Sequence, residues 1–107
     1  MDEALYELYD LATYRKNHPL EDSYTSYLFE QGLDKILQKL GEEASEVIIA
    51  AKNISNLDLK NEVCDLLFGL VVLLVEKNIK LDEVNESLKD RISTIGEEKR
   101  YVGMKVD

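Results

Sequence analysis

Residues that cross-link a chain or interrupt its helices are scarce in this sequence. Its 107 residues include one cysteine, one proline, five glycines and no tryptophan. The single cysteine, Cys64, excludes an intramolecular disulfide and a cysteine-based zinc framework, and we expect it to fill space in the core. Because proline and glycine are rare while Leu, Glu, Lys, Ala and Ile are common, helices are favoured. The sequence contains no Asn-Gly hairpin and no regular series of short strands, so it predicts an all-α fold.

Long apolar segments and clusters of positive charge are also missing. The longest apolar run, residues 66–75, is too short to cross a bilayer. The chain begins with MDEALYELYD, which lacks the apolar centre of a signal peptide. We therefore expect a soluble, cytoplasmic protein with no membrane partner. The formal net charge of −9 argues against a nucleic-acid partner, since phosphate contacts need clustered Lys and Arg. Divalent cations could still mediate the binding of a polyphosphate.

The chain length suits a single domain, residues 1–107. Hydrophobic periodicity predicts helices over residues 2–16, about 25–53, about 57–77 and from 81 to about 92. We expect Ser23 or Thr25 to cap the second helix, and Gly32 or Gly41 to bend it. The expected architecture is an antiparallel bundle of four to five helices, followed by a tail at residues 93–107.

The third predicted helix is apolar around its whole circumference at residues 66–75. A single core face does not bury such a segment. One arrangement places this helix at the centre of the other three, and another covers it with a second subunit. Because a chain of this length has little surface with which to cover it, we expect a homodimer. The third helix is the main candidate for the interface, and the first helix is a further candidate.

Acidic residues form two helical patterns beside segments that are expected to be buried. Glu42, Glu43 and Glu46 precede one apolar turn, and Glu62 and Asp65 precede the apolar run of the third helix. Residues three or four apart share a helix face, and antiparallel packing would bring the two acidic faces together. Such carboxylates repel one another unless cations lie between them, and Mg²⁺ binds oxygen ligands of this kind together with substrate phosphates. The alternative is a set of solvated surface glutamates.

Lysines continue one edge of the acidic face. Lys35 and Lys39 precede Glu43 at four-residue spacing, which makes both lysines candidates to bind phosphate groups. The alternative is ion pairing between Lys39 and Glu43 on a solvated surface. Tyr24 could stack on a nucleobase, although packing is the commoner role of a tyrosine. His18 is the single histidine, and we expect it to be a loop residue.

Two long segments resemble a known enzyme family. They are SYTSYLFEQGLDKILQKLGEEASEVIIAAKN at residues 23–53 and NEVCDLLFGLVVLLVEKNIKLDEVNESLKDR at residues 61–91. Together they resemble the phosphoribosyl-ATP pyrophosphatases, a branch of the MazG-like all-α nucleotide pyrophosphohydrolases, whose shared signature is EExxE followed by ExxD. The wider superfamily shares only the acidic residues, whereas the Ser-Tyr-Thr loop and the lysines resemble those of this branch in particular. One departure is Phe68-Gly69, where many relatives carry an aromatic residue followed by histidine.

The resemblance implies Mg²⁺-dependent hydrolysis of the α–β phosphoanhydride of phosphoribosyl-ATP. The products are phosphoribosyl-AMP and pyrophosphate, and the reaction is the second step of histidine biosynthesis. The resemblance also implies a homodimer, which we expect to be the stand-alone form of the enzyme. The implied metal ligands are Glu42, Glu43, Glu46, Glu62 and Asp65, with Glu62 as a direct or outer ligand. Glu43 and Glu46 are the implied catalytic residues, and Glu43 is the first choice to orient the attacking water. The implied substrate-binding residues are Ser23, Tyr24, Thr25, Lys35, Lys39, Lys52 and Asn53.

Two other functions fit parts of the pattern. A housecleaning pyrophosphohydrolase acting on nucleoside triphosphates would use the same acids without recognising the second ribose phosphate. A non-enzymatic helical interaction module would need only the amphipathic helices, and it leaves the acidic motifs unexplained. A panel of substrates separates the first alternative from the main hypothesis. Binding of Mg²⁺ at a defined stoichiometry argues against the second.

Overall fold

A computed structural model of the chain describes residues 2–53 and 55–97, and these residues form five α-helices and no strand. The helices are α1 (Asp2–Asn17), α2 (Tyr24–Gln31), α3 (Leu33–Lys52), α4 (Asn56–Glu76) and α5 (Leu81–Glu97). This architecture confirms the all-α prediction. Within the described ranges, none of the helices combines the length and the apolar character that a membrane span requires.

The long helix predicted for residues 25–53 is divided in two at Gly32. Gly32 adopts φ 90° and ψ −172°, a backbone conformation that is almost confined to glycine. Its N–H donates to the carbonyl of Leu28 at 3.0 Å, and its carbonyl accepts from the N–H of Ile36 at 3.1 Å. The predicted bend at Gly32 is therefore a complete break, whereas Gly41 lies inside α3.

Serine side chains begin two of the helices. The N–H of Ser26 donates to Ser23 Oγ at 3.1 Å, so Ser23 caps α2. Ser23 was one of the two predicted caps, the other being Thr25. Ser55 caps α4 in the same way through the N–H of Asp58, at 3.4 Å. Between α1 and α2, His18 lies in the loop, as expected, and its ring stacks on Tyr14 at a centroid distance of 4.0 Å.

The hydrophobic core surrounds the C-terminal half of α4. Val71 and Val75 pack with Ala12 of α1 in one cluster of buried residues. Val72, which has no exposed surface, forms a second cluster with Leu28 of α2 and Ile36 of α3. Over this half of α4, the cover within one chain comes from α1, α2 and α3, while α5 has no buried residue. The arrangement with α4 at the centre of all the other helices is therefore realised only in part.

The N-terminal half of α4 has less cover, and Cys64 shows the consequence. We expected Cys64 in the core, but its side chain is exposed, so this prediction was wrong. The three buried residues of α4 are Val71, Val72 and Val75, all in the C-terminal half. Hydrophobic periodicity identifies a helix face but does not tell how far along the helix its neighbours extend.

The fifth helix contacts the rest of the chain mainly at its first turn. Tyr6 Oη donates to Asp82 Oδ1 at 2.6 Å, and Tyr9 Oη donates to the carbonyl of Ile79 at 2.9 Å. The helix continues to Glu97, beyond the predicted limit near residue 92, and none of its residues is buried. Residues 98–107 of the predicted tail lie outside the described residues.

The two longest helices, α3 and α4, run antiparallel. Leu40 of α3 lies opposite Gly69 of α4, and Glu43, further along α3, lies opposite Asp65, which comes earlier on α4. A connection of only three residues, 53–55, joins the helices. This arrangement is the one that we expected to bring the two acidic faces together.

Candidate metal centre

Three carboxylates from α3 and α4 converge between the helices. One carboxylate oxygen from each of Glu43, Glu62 and Asp65 lies within 4.8 Å of the other two. Glu62 and Asp65 share a face because they are three residues apart on α4, and the antiparallel helix supplies Glu43. Glu43 and Glu62 are half-buried while Asp65 is exposed, so the group is open to solvent on one side. We call these three residues the carboxylate triad.

Glu62 contributes the observation that favours a cation most directly. Its Oε2 atom is buried and has no hydrogen-bond partner among the described residues. A buried carboxylate oxygen without a partner destabilises the fold, because it has lost its hydration and gained nothing in exchange. A hard divalent cation between the three side chains would satisfy this oxygen, and carboxylate oxygens are the ligands that Mg²⁺ accepts. The donor set therefore fits magnesium.

The electrostatics of the triad agree with this fit. Burial raises the pKa of Glu62 above its usual value, and Glu46, Asp65 and Glu43 raise it further. Part of the effect of Glu46 on the pKa of Glu62 comes from a hydrogen bond between the two side chains. Burial also raises the pKa of Glu43, and the charges of Asp65 and Glu46 add to this effect. Without a cation, the site resists carrying its full negative charge.

The structure places Glu42 outside the triad. Its carboxylate accepts hydrogen bonds from Gln38 Nε2 at 3.0 Å and from Lys39 Nζ at 3.1 Å. The first of these bonds, followed by the second, lowers the pKa of Glu42. Glu46 is exposed and lies beside Glu62, close enough for the two carboxyls to share a proton. Of the three glutamates of EExxE, Glu43 thus lies inside the triad, Glu46 at its edge and Glu42 next to a lysine.

Two cavities flank the carboxylates. The first has a volume of about 160 Å³ and lies between α2, α3 and α4; we call it the α2–α4 cavity. It is lined by Tyr24, Leu28, Ile36, Lys39, Leu40, Glu43, Asp65, Phe68, Gly69 and Val72. The second, of about 260 Å³, lies toward the connection between α3 and α4. It is lined by Glu46, Ile49, Ala50, Asn53, Asp58 and Glu62. A substrate that crosses the triad would therefore have room on both sides.

The other residues predicted to bind substrate are divided between these two sides. Lys39 and Tyr24 line the α2–α4 cavity, and Asn53 lines the second cavity. Lys52 is the exposed last residue of α3. Lys35 is half-buried, and its charge contributes to the lowered pKa of Glu42. The hydroxyl of Ser23 is occupied in capping α2, and Thr25 in the first turn of α2 is half-buried.

Sequence reasoning missed some of the residues that line the site. Asp58 lies in the second cavity, and the spacing of Asp58, Glu62 and Asp65 places all three on one face of α4. That spacing was a usable signal. Leu40 and Phe68 gave no such signal, because an apolar residue that lines a cavity and one that packs in a core look alike in a sequence.

Most of the chain is similar to proteins of one known family. The family model described as phosphoribosyl-ATP pyrophosphohydrolase matches residues 5–92, which include the whole triad. The phosphoribosyl-ATP pyrophosphatase of Clostridium novyi is 48% identical over 97 residues, 91% of this chain and 88% of the relative. That of Clostridium acetobutylicum is 52% identical over 90 residues, 84% of this chain and 82% of the relative. The histidine biosynthesis bifunctional protein HisIE of Caldanaerobacter subterraneus is 54% identical over 89 residues, 83% of this chain and 43% of the relative.

Proposed function

Because the chain belongs to the phosphoribosyl-ATP pyrophosphohydrolase family, we propose that it hydrolyses phosphoribosyl-ATP to phosphoribosyl-AMP and pyrophosphate. This reaction is the second step of histidine biosynthesis, and we assign it to the cytoplasm. As the α–β phosphoanhydride breaks, the oxygen of water bonds to one of the two phosphorus atoms. The bridging oxygen leaves with the other phosphorus, and a proton is released. The observation that carries the proposal is the convergence of Glu43, Glu62 and Asp65 beside a cavity, in a chain of this family.

The triad would hold Mg²⁺, with Glu46 at its edge and Glu42 paired to Lys39. When bound, magnesium supplies positive charge that offsets the negative charge of the phosphate oxygens. We assign to Glu43 and Glu46 the roles of orienting the attacking water and accepting its proton.

Substrate recognition would extend from the triad into both cavities. Lys39 at the α2–α4 cavity and Lys35 one helical turn away would bind phosphate oxygens. Beyond the triad, Asn53 in the second cavity and Lys52 beside it would bind the second ribose phosphate. Tyr24 would contact the nucleoside, and Ser23 and Thr25 would hold the first turn of α2 in place beneath it. Through these contacts the site would distinguish phosphoribosyl-ATP from an ordinary nucleoside triphosphate.

A panel of substrates tests the assignment. With Mg²⁺ present, the purified protein should release pyrophosphate from phosphoribosyl-ATP faster than from any ordinary nucleoside triphosphate. The reason is that only phosphoribosyl-ATP carries the second ribose phosphate. Turnover of deoxynucleoside triphosphates that exceeds turnover of phosphoribosyl-ATP would instead favour a housecleaning pyrophosphohydrolase.

The active form would be a homodimer. Three observations support it. Helix α5 has no buried residue, and large apolar side chains on each of the five described helices face solvent within one chain. Among them are Ile48 and Ile49 on α3, Leu70 on α4, and Leu88, Ile92 and Ile95 on α5. The radius of gyration, 16.3 Å, exceeds the value of about 13 Å that is typical of a compact domain of this length. A second copy packed on these faces of α3, α4 and α5 would bury these side chains.

A further inference from the structure

The α2–α4 cavity has an apolar interior and a polar mouth. Leu28, Ile36 and Val72 form its innermost wall, and each of them is at most 3% exposed. Phe68 closes one side, and its ring stacks on that of Tyr24 with a centroid distance of 6.3 Å. At the mouth lie Lys39 and two carboxylates of the triad. The cavity therefore offers apolar and aromatic surface inside and charge only at its entrance.

This composition decides which part of the substrate the cavity can accept. A phosphate placed against the apolar wall would lose its hydration without gaining a cation, since Lys39 lies at the mouth and pairs with Glu42. The volume, about 160 Å³, is below the roughly 300 Å³ at which pockets begin to enclose a whole small molecule. The cavity thus suits a single flat and weakly polar group. In phosphoribosyl-ATP that group is the purine.

Gly69 lies in the wall of the α2–α4 cavity, opposite Leu40. Gly69 is inside α4, where a glycine is less favourable than an alanine, so its presence requires a packing reason. A Cβ built on Gly69 would lie 3.2 Å from Leu40 Cδ1 on the facing helix. At Gly41 and Gly96, the other glycines inside described helices, an added Cβ would meet nothing within 4 Å. Any side chain at residue 69 would therefore displace Leu40, and both residues line the cavity.

We infer that the α2–α4 cavity binds the purine base of the substrate, and that Gly69, by letting Leu40 lie close to α4, sets the room available to the base. This inference rests on the proposed function for the identity of the base. Tyr24, which is 49% exposed at the open side, covers the base from solvent. The ribosyl groups leave the cavity through its mouth, and the phosphoanhydride lies at the triad. Gly69 is then a positioning residue that determines fit and does not touch the reacting atoms.

The test is Gly69→Ala, with Gly96→Ala on α5 as the matched control. Calorimetry in the presence of Mg²⁺ measures binding of AMP, which carries the base, and of pyrophosphate, which does not. Crowding by one methyl group should weaken AMP binding by about tenfold and leave pyrophosphate binding unchanged. In turnover of phosphoribosyl-ATP, KM should rise while kcat stays within about twofold. Gly96→Ala should change none of these values.

A second substitution shows whether Leu40 transmits the effect. Leu40→Val removes the terminal methyl groups that an added Cβ would meet. Combined with Gly69→Ala, it should restore most of the lost AMP affinity. Wild-type AMP affinity in Gly69→Ala would overturn the inference, and so would a loss confined to pyrophosphate, which would place phosphate in the cavity. Failure of Leu40→Val to restore binding would overturn the role of Leu40 and Gly69.

The wild-type protein supplies a measurement that does not depend on how any variant folds. AMP should bind more tightly than ribose 5-phosphate, which has the phosphate and sugar but no base. Equal affinity of the two compounds would overturn the inference. These binding measurements do not require hydrolysis. If the protein released no pyrophosphate from phosphoribosyl-ATP but bound AMP as described, the proposed function would fail and the base site would stand.

Discussion

At the scale of single residues, Glu62 connects the fold to the chemistry. Its carboxylate is placed between two acidic neighbours, and one of its oxygens is buried without a hydrogen-bond partner in the described part of the chain. A surface glutamate has no reason to be held in this way. A bound cation would make the arrangement favourable, so the contacts that destabilise the metal-free protein would contribute to metal affinity.

Replacement of Glu62 by glutamine tests this conflict between stability and function. Glu62→Gln removes one negative charge, so the metal-free protein should melt at a higher temperature than the wild type. The stabilisation that we expect Mg²⁺ to give the wild type in thermal denaturation should be absent in this variant, and pyrophosphate release should fall by about 100-fold or more. The control is Glu86→Gln, at an exposed residue of α5 that pairs with Lys89. A Glu62→Gln protein that is less stable than the wild type without metal would contradict the account.

Stability should also depend on pH in a direction fixed by the raised pKa values of Glu43 and Glu62. The folded state binds these protons more tightly than the unfolded chain, whose carboxyls titrate near 4.5. The stabilisation is therefore complete below that pH and is lost as pH rises through the folded pKa values. Glu42 has the opposite shift, so its contribution is present above 4.5 and is lost only at lower pH.

Thermal denaturation in EDTA across this range provides the check. The melting temperature should fall between pH 4.5, the usual pKa of these carboxyls, and neutrality. The stabilisation caused by added Mg²⁺ should grow over the same interval, because the metal binds the ionised side chains. A melting temperature that rises with pH in EDTA would show that Glu43 and Glu62 do not dominate the titration.

The residues of the triad could be predicted from the sequence because helical spacing fixes which side chains share a face. The different environments of Glu42 and Glu43 could not be predicted. Adjacent residues point in different directions around a helix, and which of them faces the neighbouring helix depends on how the two helices pack. The prediction that Cys64 is buried was wrong for a related reason. Its spacing matches that of the buried residues, but the helices that bury them do not reach it.

At the scale of the helices, Gly32 determines where α2 ends and α3 begins. The backbone at Gly32 lies in a region that is almost exclusive to glycine. Gly32→Ala should reduce the free energy of unfolding by about 1–3 kcal/mol. Gly41→Ala is the matched control inside α3, where alanine should stabilise by up to about 1 kcal/mol. Urea denaturation followed by circular dichroism measures both, and equal effects of the two substitutions would contradict the assigned break.

The helices themselves could largely be predicted, because their apolar residues repeat with helical periodicity and Ser23 gives a capping signal. The choice between Gly32 and Gly41 could not be made from the sequence. Both glycines interrupt the same periodic pattern, and only the packing of α2 against its neighbours requires a change of direction at Gly32. The length of α5 was underestimated because Gly96 suggested an earlier end, although Ile92 and Ile95 continue the helical spacing up to Glu97.

At the scale of the whole molecule, the family and the all-α fold were predicted correctly from two acidic motifs and the segments around them. The assembly is a different problem. A helix that is apolar all round can be covered by its own chain or by a partner, and the sequence does not distinguish these arrangements. The structure answers in part, since α4 is covered by its own chain around Val72 while Leu70 remains 40% exposed.

The proposed homodimer gives a prediction about Leu70. Wild-type protein should have a mass of twice 12.3 kDa by light scattering at micromolar concentration. Leu70→Glu should lower that mass or unfold the chain, because it places a charge in the apolar interface. The control is Leu20→Glu in the exposed loop between α1 and α2, which should leave the mass unchanged. A wild-type chain that is a stable monomer would show the assembly prediction to be wrong.

The central claim is that the carboxylate triad holds the magnesium used to hydrolyse phosphoribosyl-ATP. The most direct test is release of pyrophosphate from phosphoribosyl-ATP by the wild-type protein, measured with Mg²⁺, after EDTA, and after Mg²⁺ is restored. The account predicts turnover with Mg²⁺, loss of turnover in EDTA and recovery when the metal returns. Turnover that continues undiminished in EDTA, or no release of pyrophosphate with Mg²⁺ present, would contradict it.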